Sequence, residues 1–188
     1  MTMLDGHKRF QKNTLPQIRE NLRSLKTAQK PKALFITCSD SRICPNELTS
    51  TKQGELFVIR NAGNSIPNRT QSKEAVAELA TLEYAVKALK IKEIVICGHT
   101  HCGIMKAIID ENDKNMPFLT NYVSFLSARK KYSPSLNLTE TAAINVQNQI
   151  KNLKSHDFIK DELKNGGLNI HGWVYDVETG EIEIVQTN

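Results

Sequence analysis

Apolar residues recur at Leu15, Ile18, Leu22 and Leu25. A spacing of three to four residues puts them on one stripe, so a helix is predicted over Asn13–Lys26. Past Pro31 the pattern changes. Ala33–Cys38 runs Ala-Leu-Phe-Ile-Thr-Cys and reads as a short buried strand. Glu55–Arg60, after the turn at Gly54, and Glu93–Cys97, closed by Gly98, read the same way. Between them, Ser72–Leu89 carries Ala75, Val76, Leu79, Leu82, Ala85, Val86 and Leu89 at helical spacing, which predicts a long amphipathic helix. Thr100–Asp110 opens another helix, and Met116–Lys130 and Leu138–Ser155 continue the helical part. After a turn at Asn165–Gly167, Leu168–Val177 and Glu181–Thr187 form a hairpin around Glu178-Thr179-Gly180. The alternation Glu181-Ile182-Glu183-Ile184-Val185 supports its second strand.

Short apolar strands separated by helices call for βα units. The expected fold is therefore α/β: a mostly parallel central sheet of about four strands with an antiparallel edge strand, helices on both faces and an N-terminal helical arm. With no internal repeat, low-complexity tract or linker, residues 1–188 read as a single domain, 1–28 as the arm and 29–188 as the α/β core. Such sheets place their chemistry beyond the carboxyl ends of the strands.

Composition narrows the class. A chain of 188 residues can bury a core without disulfides, and 39% hydrophobic with 24% charged residues suits a globular protein rather than a disordered one. The longest apolar runs are about four residues, whereas a membrane span needs about 18, so no membrane segment is expected. Met1–Gln17 holds Asp5, His7, Lys8 and Arg9 and lacks an apolar stretch, so no secretory signal is read and a cytoplasmic location is expected. The net charge of +5 invites a nucleic-acid reading. Yet Lys and Arg interleave with acids, and the 6% aromatic content forms no stacking platform, so a solvated surface is the better account. The cysteines fall at positions 38, 44, 97 and 102. Kept reduced in a cytosol, they point to metal binding or catalysis before disulfides.

Cys38 ends the first strand and opens Cys38-Ser39-Asp40-Ser41-Arg42, while the third strand leads into His99-Thr100-His101-Cys102-Gly103. If the two strands are neighbours, Cys38, His99 and Cys102 meet. Two thiolates and one imidazole suit tetrahedral Zn²⁺. Cys102, read as part of the first helical turn, has its thiolate favoured by the helix N-terminus. Taken singly, each of these residues has an ordinary structural reading. The fourth position decides the function, because a catalytic site keeps it for water and a structural site closes it. Asp40 is the candidate occupant, and a bidentate pair with Arg42 would hold it off. An ordinary ion pair at a strand end is the alternative. Cys44 and Cys97 read as small packing residues, His101 as a proton relay or a solvated side chain, and His7, His156 and His171 show no partner pattern.

The segments Cys38-Ser39-Asp40-Ser41-Arg42, Arg60-Asn61-Ala62-Gly63-Asn64 and Gly98-His99-Thr100-His101-Cys102-Gly103 resemble, in order and spacing, the three signature blocks of the β-class carbonic anhydrases, in their plant-like branch. The resemblance implies one Zn²⁺ per chain on Cys38, His99 and Cys102, with Asp40 and Arg42 as a catalytic dyad. It further implies reversible hydration of carbon dioxide to bicarbonate and a proton by zinc-bound hydroxide. Gln29, Phe57, Ala62, Tyr84 and Gly103 match its substrate pocket, although Phe57 and Tyr84 also read as core packing, and Ala62 replaces a plant valine. The bicarbonate-regulated branch carries a Trp where this chain has Phe35; the only tryptophan here is Trp173, in the last hairpin. A homodimer or homotetramer follows by resemblance, with the pocket assembled between subunits. Two other readings stand beside this one: the same scaffold hydrolysing CS₂ or COS, and a non-catalytic zinc protein whose site Asp40 closes.

Overall fold

The computed structural model describes residues 2–71, 73, 76–110, 115–125 and 136–186. Strands β1 (Ala33–Cys38), β2 (Leu56–Asn61), β3 (Glu93–His99), β4 (Asn169–Tyr175) and β5 (Ile182–Val185) form one sheet in the order β2-β1-β3-β4-β5. The first four are mutually parallel and β5 runs antiparallel to β4. The sheet is therefore the one expected: four parallel strands and an antiparallel edge.

Helices α1 (Met3–Arg9) and α2 (Leu15–Ser24) are joined by a π-helical turn, Phe10–Thr14, so the arm begins well before Asn13. A capping box explains the early start: Thr2 Oγ1 accepts from the Asp5 N–H, and Asp5 accepts from the Thr2 N–H. Neither helix buries a residue. A short helix, α3 (Pro45–Leu48), follows β1 and was not apparent in the pattern. The predicted helix Ser72–Leu89 appears as α4 (Val76–Glu83) continued by a π-helical turn, Tyr84–Ala88, in which the Leu89 N–H reaches back five residues to the Tyr84 carbonyl. Val76, predicted inward, is exposed. Residues 72, 74 and 75 of that prediction lie outside the described residues, as do 126–130 of the helix predicted to Lys130 and 187 of the last strand.

The remaining helices are α5 (Gly103–Asp110), α6 (Pro117–Phe125), α7 (Leu138–Lys154) and α8 (Asp157–Lys164). The two faces of the sheet are covered unequally. Leu34, Ile36, Ile94 and Ile96 pack with Ala85, Val86, Val146, Ile150 and Leu153 in the main core. Close approach of α7 depends on two strand glycines. A Cβ on Gly172 would lie 2.9 Å from Ile150 Cδ1, and one on Gly98 2.9 Å from Val146 Cγ2. On the other face Phe35, Val95 and Cys97 pack with Leu48 of α3, Leu56, Trp173 and Tyr175. Trp173, remote from Phe35 in sequence, meets it edge-on at 6.0 Å. Cys44, read as a packing residue, is exposed, whereas Cys97 is buried as expected.

Candidate metal centre

Strands β1 and β3 are direct neighbours, so their carboxyl ends bring Cys38 and His99 together. Cys102 follows after a turn in which His101 takes a left-handed φ of 55°. Cys102 stands just ahead of α5 rather than within its first turn, and its carbonyl accepts the Lys106 N–H at 3.0 Å. The N–H groups of Ile104 and Met105 face its sulfur. It thus still benefits from the unpaired donors of a helix start, as a cap.

Cys38, His99 and Cys102 are all buried, and their candidate ligand atoms lie within 4.8 Å of one another. His99 Nδ1 is 2.9 Å from the Thr100 carbonyl. Only an N–H can face a carbonyl there, so Nδ1 carries the proton and Nε2 presents its lone pair. That Nε2 is buried and has no hydrogen-bond partner among the described residues. An orphaned acceptor in a fully buried ring is costly, and a metal ion satisfies it. The two thiols share a proton: Cys102 donates to Cys38, which holds Cys38 below and Cys102 above the usual thiol range. Metal binding takes the place of that proton. The donor set fits a tetrahedral N/S ion with one position left over.

Asp40 lies beside this cluster, with Oδ2 3.9 Å from His99 Nε2. Arg42 grips it by three donors: Nε to Oδ1 at 2.9 Å, Nη2 to Oδ2 at 2.8 Å and its own N–H to Oδ1 at 3.0 Å. These bonds hold the Asp40 carboxyl well below the usual carboxylate range. Arg42 Nη2 also donates to the His101 carbonyl at 3.1 Å, tying the dyad to the turn between His99 and Cys102.

The predicted pocket residues divide into two groups. Ala62 and Gly103 stand near the cluster, on the turn after β2 and at the first position of α5. Gln29, Phe57 and Tyr84 do not. Phe57 pairs with Leu34, whereas Asn61 is the residue opposite Cys38. Four residues of strand, at about 3.3 Å each, put Phe57 about 13 Å back along the sheet. Tyr84 goes with it, the two rings being 6.1 Å apart, and is 50% exposed; Gln29 is exposed as well.

Several supporting residues escaped the sequence reading. Asn145 Nδ2 donates to the Gly63 carbonyl at 2.9 Å, Gln149 Oε1 accepts the Ile66 N–H at 2.7 Å, and Asn152 Nδ2 donates to the Ile66 carbonyl at 2.8 Å. His156 Nε2 donates to the Pro67 carbonyl at 2.8 Å. Together they serve a loop that has no strand partner. Their signal was present as polar residues at helical spacing along a buried stripe. Tyr122 adds a hydroxyl bond to the Ala62 carbonyl at 2.8 Å and touches the Ser65 hydroxyl. His171, which showed no partner pattern, pairs with Glu93 at 2.6 Å.

The carbonic anhydrase family model matches residues 33–182. A carbonic anhydrase of Helicobacter pylori strain J99 is 41% identical over 192 residues, covering 94% of this chain and 86% of the relative. Among solved structures, the β-carbonic anhydrase CcaA superposes with a TM-score of 0.87 at 36% identity, over 98% of this chain and 93% of that one. The chain belongs to the β-class carbonic anhydrase family. Carbonic anhydrases are lyases, and the β class is zinc-dependent. Two tetrameric β-carbonic anhydrases of Sordaria macrospora are represented by a further similar structure, with a TM-score of 0.85 at 26% identity, covering 97% of this chain and 94% of that one.

Proposed function

We propose that this chain hydrates carbon dioxide reversibly to bicarbonate and a proton, with one zinc ion held by Cys38, His99 and Cys102 and with Asp40 and Arg42 as its dyad. The observation that carries the reading is the orphaned His99 Nε2, buried between two thiols, with a carboxylate 3.9 Å away that an arginine holds aside. Zinc, when bound, supplies Lewis acidity that lowers the pKa of a water from about 15.7 toward about 7.

The residues supply the rest. With its proton on Nδ1, His99 offers Nε2 as a neutral donor. Asp40, ionised and aimed at the open position, accepts a hydrogen bond from a ligand that brings a proton and repels a bare anion. Arg42 keeps that carboxylate from becoming a fourth ligand. This arrangement favours the enzyme over a closed, non-catalytic site. Met105, Ile108 and Val123 pack around the two cysteines and keep bulk water from them.

Substrate placement requires a second copy. Phe57 and Tyr84 lie too far from their own chain's cysteines to hold carbon dioxide there, and Tyr84 is half exposed. In a homodimer or a homotetramer the partner's Phe57 and Tyr84 line the pocket, and its Gln29 amide donates to a substrate oxygen. The arm suits this assembly: no residue of α1 or α2 is fully buried in its own chain, and Met3 and Leu4 are exposed.

Stopped-flow hydration of carbon dioxide, on protein of measured zinc content, tests the reading. Turnover with one zinc per chain is expected, together with loss of zinc from Cys102→Ser. An inactive protein with full zinc, or a fully metallated Cys102→Ser variant, would overturn it.

A further inference from the structure

Arg60 stands in the second signature segment, and none of the roles above uses its side chain. From β2 it reaches across to the end of the neighbouring strand. There Nε donates to the Cys38 carbonyl at 3.1 Å and Nη2 donates to the Asp40 carbonyl at 2.8 Å. One of these carbonyls belongs to a candidate ligand. The other belongs to the residue whose carboxylate faces His99 Nε2.

Arg42 cannot do this work alone. It lies two residues from Asp40, so their pairing fixes the shape of a short segment more than its place on the sheet. Its one further hydrogen bond among the described residues is to the His101 carbonyl. Arg60 supplies an anchor from a different strand, and it grips backbone rather than carboxylate. Its planar fork can span two carbonyls at once, which the single ammonium of a lysine cannot do in fixed geometry. Arg60 is itself exposed, so burial does not account for where it points.

We propose that Arg60 is a positioning residue that splints the Cys38–Asp40 segment against β2 and so keeps the Asp40 carboxylate off the fourth position of the metal site. The proposal rests on the reading of Cys38, His99 and Cys102 as ligands. Without the splint the segment can shift toward the cluster, and the carboxylate has little distance to travel: Asp40 Oδ2 stands 3.9 Å from His99 Nε2, and two N/O ligands of one tetrahedral ion, at bond lengths of about 2.0–2.1 Å, stand about 3.4 Å apart.

The test uses the full chain loaded with Co²⁺, whose visible spectrum reports coordination, and titrates it with imidazole as a neutral probe for the open position. In Arg60→Met we expect retained cobalt and imidazole binding weakened by about tenfold, within the range usual for outer-shell partners of a metal site. Arg60→Lys should fall between that variant and the unaltered chain. Adding Asp40→Ala to Arg60→Met should restore imidazole binding, because the competing carboxylate is gone. A merely structural role would cost metal retention without any dependence on Asp40. Unchanged imidazole affinity in Arg60→Met, or a loss that Asp40→Ala fails to restore, would overturn the proposal. Should Arg60→Met fail to fold, Arg60→Lys is read by the same two criteria. Absence of a thiolate-to-cobalt band from the unaltered chain would instead overturn the ligand assignment beneath it.

Discussion

At the scale of single residues, the proposed site is a contest between Asp40 and an incoming ligand for one place. Asp40 lies near enough to His99 to take the open position, and three hydrogen bonds from Arg42 hold its carboxylate where it is. Arg42→Ala is therefore expected to lower turnover by about 10- to 100-fold while zinc content stays at the level of the unaltered chain. Metal analysis and stopped-flow rates on the same sample check this, and full activity would remove Arg42 from the account. The candidate ligand and dyad residues were legible in the sequence, since Cys, His, Asp and Arg announce their chemistry at short spacing. Arg60 and Asn145 were not. A side chain that bonds backbone carbonyls 20 or 82 residues away leaves no local pattern.

At the scale of elements, the strand ends hold the candidate ligands and α7 holds the strands. Gly98 and Gly172 let that helix settle onto β3 and β4. Gly172→Ala would place a methyl 2.9 Å from Ile150 and 3.2 Å from Val185, and should cost about 1–3 kcal/mol of unfolding free energy in urea denaturation. An unchanged midpoint would mean that the core relaxes freely there. The amino ends of β3 and β4 are joined by Glu93, which accepts from Asn169 at 2.7 Å and from His171 at 2.6 Å. Those bonds, Asn169 foremost, hold its carboxyl below the ordinary range. A carboxyl lowered on folding adds stability above its unfolded pKa of about 4.3, and loses it as pH falls through the lower folded value. Glu93→Gln should therefore flatten the decline of the urea midpoint across that acid window. Parallel curves for the two proteins would count against the coupling. Strand and helix types were readable from periodicity, but boundaries were not: the run ending at Cys97 extends to His99, because pairing with β4 continues as far as Tyr175.

At the scale of the whole molecule, the proposed pocket is divided between two copies. If the ligands and the dyad come from one copy and Phe57 and Tyr84 from another, two different defects can complement each other. Arg42→Ala chains mixed and refolded with Phe57→Ala/Tyr84→Ala chains should recover about a quarter of the unaltered activity, since half the dimers are mixed and half of their sites are intact. Activity no greater than the mean of the separate variants would mean that each copy serves itself. The sequence alone determined the α/β class and the order of the strands, and offered the candidate metal-binding and dyad side chains, because periodicity and residue chemistry are local properties. Only the tertiary structure decided the rest. Neighbouring parallel strands brought Cys38 to His99 across 61 positions of chain. The register of β1 and β2 set Phe57, and Tyr84 beside it, well back from their own chain's cysteines, since a strand advances about 3.3 Å per residue whatever its side chains are.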